Sequence, residues 1–539
     1  MPGHWLPFRE RVFPAGWVLA GITLAALAAR WWQARESLWI DELHTAWTVS
    51  AGLGQVAERA RLGNNSPLYF YLVWAVTRVL GMSEPALRGL SLVAGTAVIP
   101  LVYGLVRRWS ATPLPPLLAA ALTAIDGNQL FFSLEARPYA LVQLVALGQL
   151  IVWDRLVERP TAGRRTMHVV LAIGLFYLHY TAVLLVAAEL AYYVLRRCVP
   201  QLRPGYLPRQ VLQDLAVVAV CCLPAVPHLA EIAARRENWR RFVAIPEVRD
   251  ALEIYPLHTY LGLPLLVVSL LGAVRWLGGF RPALVRVDRR GALLCVAWFC
   301  VPLALAWLAT WTDVARIFFR RYVLVAALAP AAASGLLATA LPSSRLQVVL
   351  GGVLLGVGAW TVGPGIPLVR DGRLVRHSDE DWRAVAAQVH RSLGYRRLPV
   401  FVASGLIEAD GLRQSDDPRL RDYCLLPLGS IYRLEDRMAE LVPLPLTGPG
   451  RLTGSQWELL ERRGGGWFVL RGTQEAAELA IAALQRGLKR RGRESVVRQR
   501  VDGGLVTAVE LLALPPPAGA PRIPASRPGG PLDGDELPR

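Results

Sequence analysis

The sequence predicts a polytopic α-helical membrane protein of about eleven transmembrane helices, followed by a small C-terminal extracytoplasmic α/β domain. Three observations predict it. The chain of 539 residues is 53% hydrophobic, with a mean hydropathy of +0.35, too apolar for an ordinary soluble enzyme. Apolar segments of spanning length recur through the first two thirds. After about Gly365 the composition turns polar and alternates between helix and strand patterns.

A spanning helix needs ~20 mostly apolar residues. The segments that meet or approach this lie near 13–33, 87–106, 113–133, 138–155, 167–180, 181–196, 211–230, 259–277, 291–311, 321–341 and 345–363. The fifth and sixth run together across His179-Tyr180. The first lacks a small-x-small cleavage site and is expected to remain as a helix. Residues 66–81 form a further apolar stretch that either spans or lies in the interface. Counting it as a span sends Arg107-Arg108 and the clusters at 155–165 and 196–209 outside. Treating it as interfacial puts them inside with 281–290, as the positive-inside rule requires. On that topology the N-terminus is inside, and helices within 35–85 lie on the outer surface. The domains are then 1–365 for the membrane part, 366–513 for the α/β domain, and 514–539 for a Pro/Gly-rich disordered tail.

In the C-terminal domain, Ser378-Asp379-Glu380-Asp381-Trp382 opens an amphipathic helix with an N-cap and an acidic first turn. Trp382, Val385, Ala386 and Val389 follow helical spacing. Residues 398–403 and 467–470 read as strands, 473–488 as a helix, and 504–512 as a final strand.

The formal charge is +18, and Lys489 is the single lysine. The arginines form no single stripe, which argues against a nucleic-acid partner. Arg235, Arg236, Arg240 and Arg241 fall outside against the general bias, either as a local exception or to meet an anionic ligand. The six cysteines have no metal-ligand spacing and imply no disulfide framework. Walker A and His-Glu-x-x-His motifs are absent.

The chemistry-bearing motifs sit between the apolar segments. Ionisable groups beside a bilayer are costly unless a site uses them. Asp41-Glu42 follows the first span; a carboxylate there can act as a general base, hold a divalent cation, or simply favour a helix N-terminus. Glu135-Ala136-Arg137-Pro138-Tyr139 puts an acid, a fixed cation and an aromatic beside a proline that suits a helix start. Arg137 can grip a phosphate oxygen, or the Glu–Arg pair can cap its own loop. His179-Tyr180-Thr181 interrupts an apolar run, and its histidine can serve phosphate, metal, proton transfer or plain hydrogen bonding. Asn64-Asn65-Ser66-Pro67 is a turn before the aromatic run Leu68-Tyr69-Phe70-Tyr71. Arg316, Arg320, Arg321 and Tyr322 open the tenth span, where arginines bind lipid phosphate or snorkel to headgroups. Glu189, inside the sixth span, has no evident partner in sequence.

Taken in order, Leu38-Trp39-Ile40-Asp41-Glu42, Asn65-Ser66-Pro67-Leu68-Tyr69, Ala86-Leu87-Arg88, Glu135-Ala136-Arg137-Pro138-Tyr139, His179-Tyr180-Thr181 and Arg321-Tyr322 resemble the GT-C superfamily of membrane glycosyltransferases. The closest likeness is to bacterial relatives of protein O-mannosyltransferases and lipid A aminoarabinose transferase, grouped as families 39 and 83. The resemblance implies a GT-C-like catalytic membrane domain with two outer juxtamembrane helices. It implies a polyprenyl-phosphate sugar donor, transfer with inversion, and a lipid, glycan or protein acceptor. The site would face outward from the bacterial cytoplasmic membrane. By the same resemblance Asp41 is the general base, Glu42 shapes the site and Glu135 is the second acid. Arg137, Tyr139, His179, Tyr180, Asn65, Arg88, Arg320, Arg321 and Tyr322 would bind substrate. A divalent cation, on Asp41 and Glu135, is left open. The rival classes are a lipid or glycolipid flippase, which would favour matched broken helices in two halves, and a noncatalytic scaffold.

The topology is directly testable. A cysteine replacing Ser378 should react with impermeant thiol reagent from outside the cell, and one replacing Ser110 only from inside. Labelling of position 378 from the cytoplasmic side alone would reverse the assignment.

Overall fold

The computed structural model describes residues 15–235, 243–277, 287–377, 379–393, 397–405, 418–434, 440–445 and 448–514. The expected disordered tail lies outside these residues, as do Arg236, Arg240 and Arg241. The chain divides into two compact units, Met1–Ser378 and Asp379–Arg539. The division falls later than the boundary expected at 365.

The first unit is helical. Among the described residues, six helical segments are long and apolar enough to cross a membrane: Ala15–Gln33, Glu84–Arg107, Tyr139–Glu158, Pro208–Ala234, Arg289–Trp311 and Ser344–Thr361. The other expected spans contain helix that is shorter or broken. The stretch at 113–133 splits at Asp126, whose carboxylate leaves the helix to accept the Gln129 N–H at 2.9 Å and so caps a new helix. The sixth expected span opens with a 3₁₀ turn over Tyr180–Val183, and the tenth with two such turns before Ala329–Ala338.

In chain order, the helices that matter for the site are α1 (Ala15–Gln33), α2 (Ile40–Ser50), α3 (Leu53–Leu62), α4 (Leu68–Leu80) and α5 (Glu84–Arg107). They are followed by α6 (Leu114–Ile125), α7 (Gly127–Ser133), α8 (Tyr139–Glu158), α9 (Ala162–Leu178) and α10 (Leu184–Cys198). Helix α4 has 13 residues, a rise of roughly 20 Å, short of the ~30 Å hydrocarbon core.

Helix α2 is fixed at both ends by charge. Asp41 and Glu42 occupy its first turn. At its C-terminus Arg59 donates to the Trp47 carbonyl at 2.7 Å, and Arg78 to the Ala51 carbonyl at 2.7 Å. Both signs match the helix dipole and use carbonyls at the helix end, where the helical N–H ladder has run out. The following turn is set by Asn64, whose φ of 57° is a left-handed conformation that asparagine tolerates better than most residues.

The second unit carries a five-stranded sheet in the order β2-β1-β3-β5-β4. The strands are β1 (Val400–Ala403), β2 (Leu441–Pro443), β3 (Gly465–Arg471), β4 (Ser495–Gly503) and β5 (Val506–Ala513). Strands β2, β1 and β3 are parallel, and β3, β5 and β4 antiparallel. Phe401, Phe468, Val509 and Leu511 pack against Leu459, Leu460, Leu484 and Leu488 of the helices Gly454–Arg463 and Gln474–Arg490. Strand alternation turns Val400, Val402, Trp467 and Val469 to the other face.

The α/β character and all five of the expected elements are present, with shifted ends. Asp381 caps the first helix, its carboxylate accepting the Ala384 N–H at 3.0 Å. β2, β4 and the helices Pro418–Leu426 and Gly454–Arg463 escape the sequence reading. β2 is three residues long, and β4 is mostly exposed and polar, so neither shows an apolar pattern.

Candidate active site

The site forms where α2, the Leu134–Pro138 loop before α8, the α3–α4 turn and the 3₁₀ turn Arg320–Tyr322 meet. Its foundation is a buried ion pair. Glu42 is fully buried and Arg88 1% exposed. Arg88 donates Nε to Glu42 Oε1 at 2.7 Å and Nη2 to Oε2 at 2.5 Å. The same guanidinium donates to the carbonyls of Ala34 at 2.9 Å, Glu36 at 2.7 Å and Ser37 at 3.3 Å. Glu42 Oε1 also accepts the Ala136 N–H at 2.8 Å, and Oε2 the Trp39 N–H at 3.4 Å. Such saturation offsets the cost of burying two charges.

The Leu134–Pro138 loop is therefore held by its backbone. Besides the Glu42 bond, the Ala136 carbonyl accepts from Thr45 Oγ1 at 2.7 Å, and the Arg137 carbonyl from Ser91 Oγ at 3.0 Å. Tyr69 OH lies 3.1 Å from that serine hydroxyl. Sequence reading places Thr45 only in a helical pattern with Glu42, Ala46 and Val49, and misses Ser91. Their signal is weak, because a hydroxyl on an otherwise apolar helix face looks like a tolerated polar residue.

With its backbone occupied, the loop commits Glu135 and Arg137 to the site. Asp41 Oδ2 accepts from Arg321 Nη1 at 3.0 Å, and both side chains are partly exposed. Arg137 reaches the Asp41 carbonyl at 3.3 Å and Asn65 Oδ1 at 3.1 Å. Glu135 is 1% exposed. Burial, then the charges of Glu42 and Asp41, push its carboxyl well above the ordinary carboxylate range, against the pull of Arg137 and Arg321. Four buried polar atoms in this cluster have no hydrogen-bond partner among the described residues: both carboxyl oxygens of Glu135, Nε of Arg137 and Nε of Arg321.

Aromatic rings wall the cluster. Tyr139 and His179 have ring centroids 6.2 Å apart, and His179 and Tyr322 5.9 Å. Thr181 Oγ1 ties the two segments, lying 2.8 Å from His179 Nδ1 and donating to the Tyr322 carbonyl at 2.7 Å. Asp41, Glu135, Asn65, Arg137, Tyr139, His179, Arg321 and Tyr322 are thus brought together.

Four expected residues are placed differently. Arg88 cannot meet substrate as expected, because it is buried on Glu42 and loop carbonyls. Glu42 has both oxygens engaged by Arg88 and by the backbone of Ala136 and Trp39. Arg320 has an exposed side chain, and its carbonyl accepts from Tyr255 OH at 3.2 Å. Tyr180 points to the flank, its hydroxyl 2.9 Å from His228 Nδ1.

The donor set does not fit a divalent cation. Two carboxylates, Asp41 and Glu135, are faced by two guanidinium groups, and no group of three metal-ligating side chains occurs among the described residues. Arg137 and Arg321 already supply the positive charge a cation would bring.

No protein-family model matches the chain. No curated protein matches it either. Among solved structures, it is similar to ArnT from Cupriavidus metallidurans bound to undecaprenyl phosphate, with 13% identity and a TM-score of 0.46 over 92% of this chain and 98% of that one. It is similar to the oligosaccharyltransferase AglB from Archaeoglobus fulgidus in complex with an inhibitory peptide and a dolichol-phosphate, with 10% identity and a TM-score of 0.43 over 89% and 72%. It is also similar to the arabinosyltransferase EmbB from Mycobacterium smegmatis, with 15% identity and a TM-score of 0.37 over 73% and 34%. At these scores the likenesses assign no function, which rests on the residues themselves.

Two outcomes follow from the geometry. Arg88→Met leaves the Glu42 charge buried without its partner and should cost about 3–5 kcal/mol, read as a fall in the unfolding temperature of the purified protein. Adding Glu42→Gln should recover part of it. Glu135 holds its proton more tightly in the folded protein than in the unfolded chain. It therefore opposes folding progressively as pH rises from the ordinary carboxylate range, about 4.3, toward its raised value. Glu135→Gln should flatten the loss of thermal stability over that window. An unchanged pH slope would show that Glu135 ionises normally.

Proposed function

We propose that the protein is an inverting membrane glycosyltransferase. It moves a sugar from a polyprenyl-phosphate-linked donor to an acceptor at the outer face of the bacterial cytoplasmic membrane. The observation that supports it is the cluster of unpartnered buried polar atoms on Arg137, Arg321 and Glu135 beside the Asp41–Arg321 ion pair. Paired guanidinium donors suit a phosphate, and an adjacent carboxylate suits proton removal.

The chemistry follows from this arrangement. The donor phosphate takes up N–H groups of Arg137 and Arg321 and draws Arg321 from Asp41. The freed Asp41 carboxylate accepts the proton of the acceptor nucleophile as that atom bonds the anomeric carbon from the face opposite the phosphate. The bond between the anomeric carbon and the phosphate oxygen breaks, and polyprenyl phosphate leaves with its charge held by the two arginines. Glu135, its carboxyl pushed upward by burial and by Glu42 and Asp41, hydrogen-bonds the sugar. Tyr139, His179 and Tyr322 form the wall against which the ring is oriented. Lipid, glycan and protein acceptors all satisfy this chemistry.

The test uses purified protein in nanodiscs with a panel of radiolabelled polyprenyl-phosphate sugars. A transferase releases or transfers the label, whereas a flippase in liposomes moves the intact lipid. Asp41→Asn should lower turnover ~10²–10⁴-fold. Arg321→Ala should raise the donor KM more than it alters folding. Near-normal turnover in Asp41→Asn would remove this carboxylate from the mechanism.

A further inference from the structure

The short strap after the last membrane helix is built into the back of the catalytic loop. It follows the helix Gly365–Asp371, runs over Arg373–His377, and ends just before the second unit begins at Asp379. Gln33, the last residue of α1, is 4% exposed and clamps it. Gln33 Oε1 accepts the N–H groups of Leu374 at 2.8 Å and Val375 at 3.2 Å, and Nε2 donates to the Val375 carbonyl at 2.5 Å. Glu36 adds an ion pair with Arg373 at 3.2 Å and receives Gln33 Nε2 at 3.2 Å. His377 stacks on Phe131, with centroids 4.8 Å apart. The Val375 side chain packs on Ala34, Leu92 and Leu134.

These contacts border the site from behind. Leu134 adjoins Glu135 in sequence. Ala34, Glu36 and Ser37 supply the carbonyls that hold Arg88, and Arg88 holds Glu42, which holds Ala136. A small residue could end α1 as well as glutamine, and nothing in the membrane requires a buried carboxamide there. Its three bonds to one strap instead imitate the pairing of a neighbouring strand, fixing the strap in a single register.

We propose that Gln33 is a positioning residue, and that the strap it clamps sets the Leu134–Pro138 loop and with it Glu135 and Arg137. The consequence for turnover rests on the transferase reading above. The consequence for the loop does not.

The experiment uses the full chain in nanodiscs. Gln33→Leu removes the clamp, and Val375→Ala removes only the side chain packed on Leu134. Both should accelerate deuterium exchange in the peptide over 134–138 and leave exchange around Glu189 unchanged. Both should lower kcat for donor cleavage about 10-fold or more, while the donor KM stays within about two-fold. Gln33→Glu keeps the oxygen that accepts both strap N–H groups and should retain more turnover than Gln33→Leu. If no form of the protein cleaves donor, the functional reading fails, and loop exchange still judges the clamp. Unchanged exchange over 134–138 in the folded variants overturns the proposal, as does an unchanged kcat in an active protein. Should Gln33→Leu fail to fold, Val375→Ala decides alone.

Discussion

The Glu42–Arg88 ion pair is the constraint on which the site depends. A guanidinium and a carboxylate out of water are tolerable only when their donors and acceptors are used. Here that need recruits three carbonyls before α2, the backbone at its start and the amide of Ala136. The demand for saturation thus holds three separate stretches of chain in one register. The loop that carries Glu135 and Arg137 is fixed by bonds to its backbone, which leaves both side chains available to the site.

Two adjacent acids meet opposite fates because successive helical positions point about 100° apart. Glu42 turns inward and becomes scaffold. Asp41 stays partly exposed and pairs with Arg321. A charge balance of this kind suits an anionic ligand. Asp41 and Arg321 neutralise each other, and on the proposed reading a donor phosphate would compete for the arginine and release the carboxylate. Burial and the charges of Glu42 and Asp41 raise the Glu135 carboxyl, which disfavours a further negative charge beside the two arginines.

Elsewhere, polar groups among the apolar helices serve packing. Glu189 on α10 accepts from Gln149 on α8 at 3.0 Å and lies 3.0 Å from His168 Nε2 on α9. Further along, Tyr192 OH donates to Asp154 at 2.9 Å, and Arg108 pairs with that aspartate at 2.8 Å. Interhelical bonds of this kind satisfy groups that the hydrocarbon cannot. They account for a glutamate whose partner no local pattern reveals.

The sequence by itself determined the membrane class, the acidic motif after α1, the Glu135–Tyr139 loop, the short helices over 35–85 and the α/β character of the second unit. Each is written in local terms: apolar run length, charge placed against hydropathy, and strand or helix period. Tertiary structure alone decided which charge does what. Arg88 looks like a ligand-binding arginine until its burial on Glu42 is seen. Arg320 and Arg321 are indistinguishable in sequence, yet the 3₁₀ turn sends one to the surface and the other to Asp41. The apparent span at 113–133 breaks because Asp126 caps a second helix and accepts a bond at 2.7 Å from Tyr260, far along the chain. The strap joins the first unit through Gln33, so the domain boundary moves past the end of the last apolar run. In each case the deciding energy is the desolvation or hydrogen bonding of a polar group by residues distant in sequence, which no local pattern encodes.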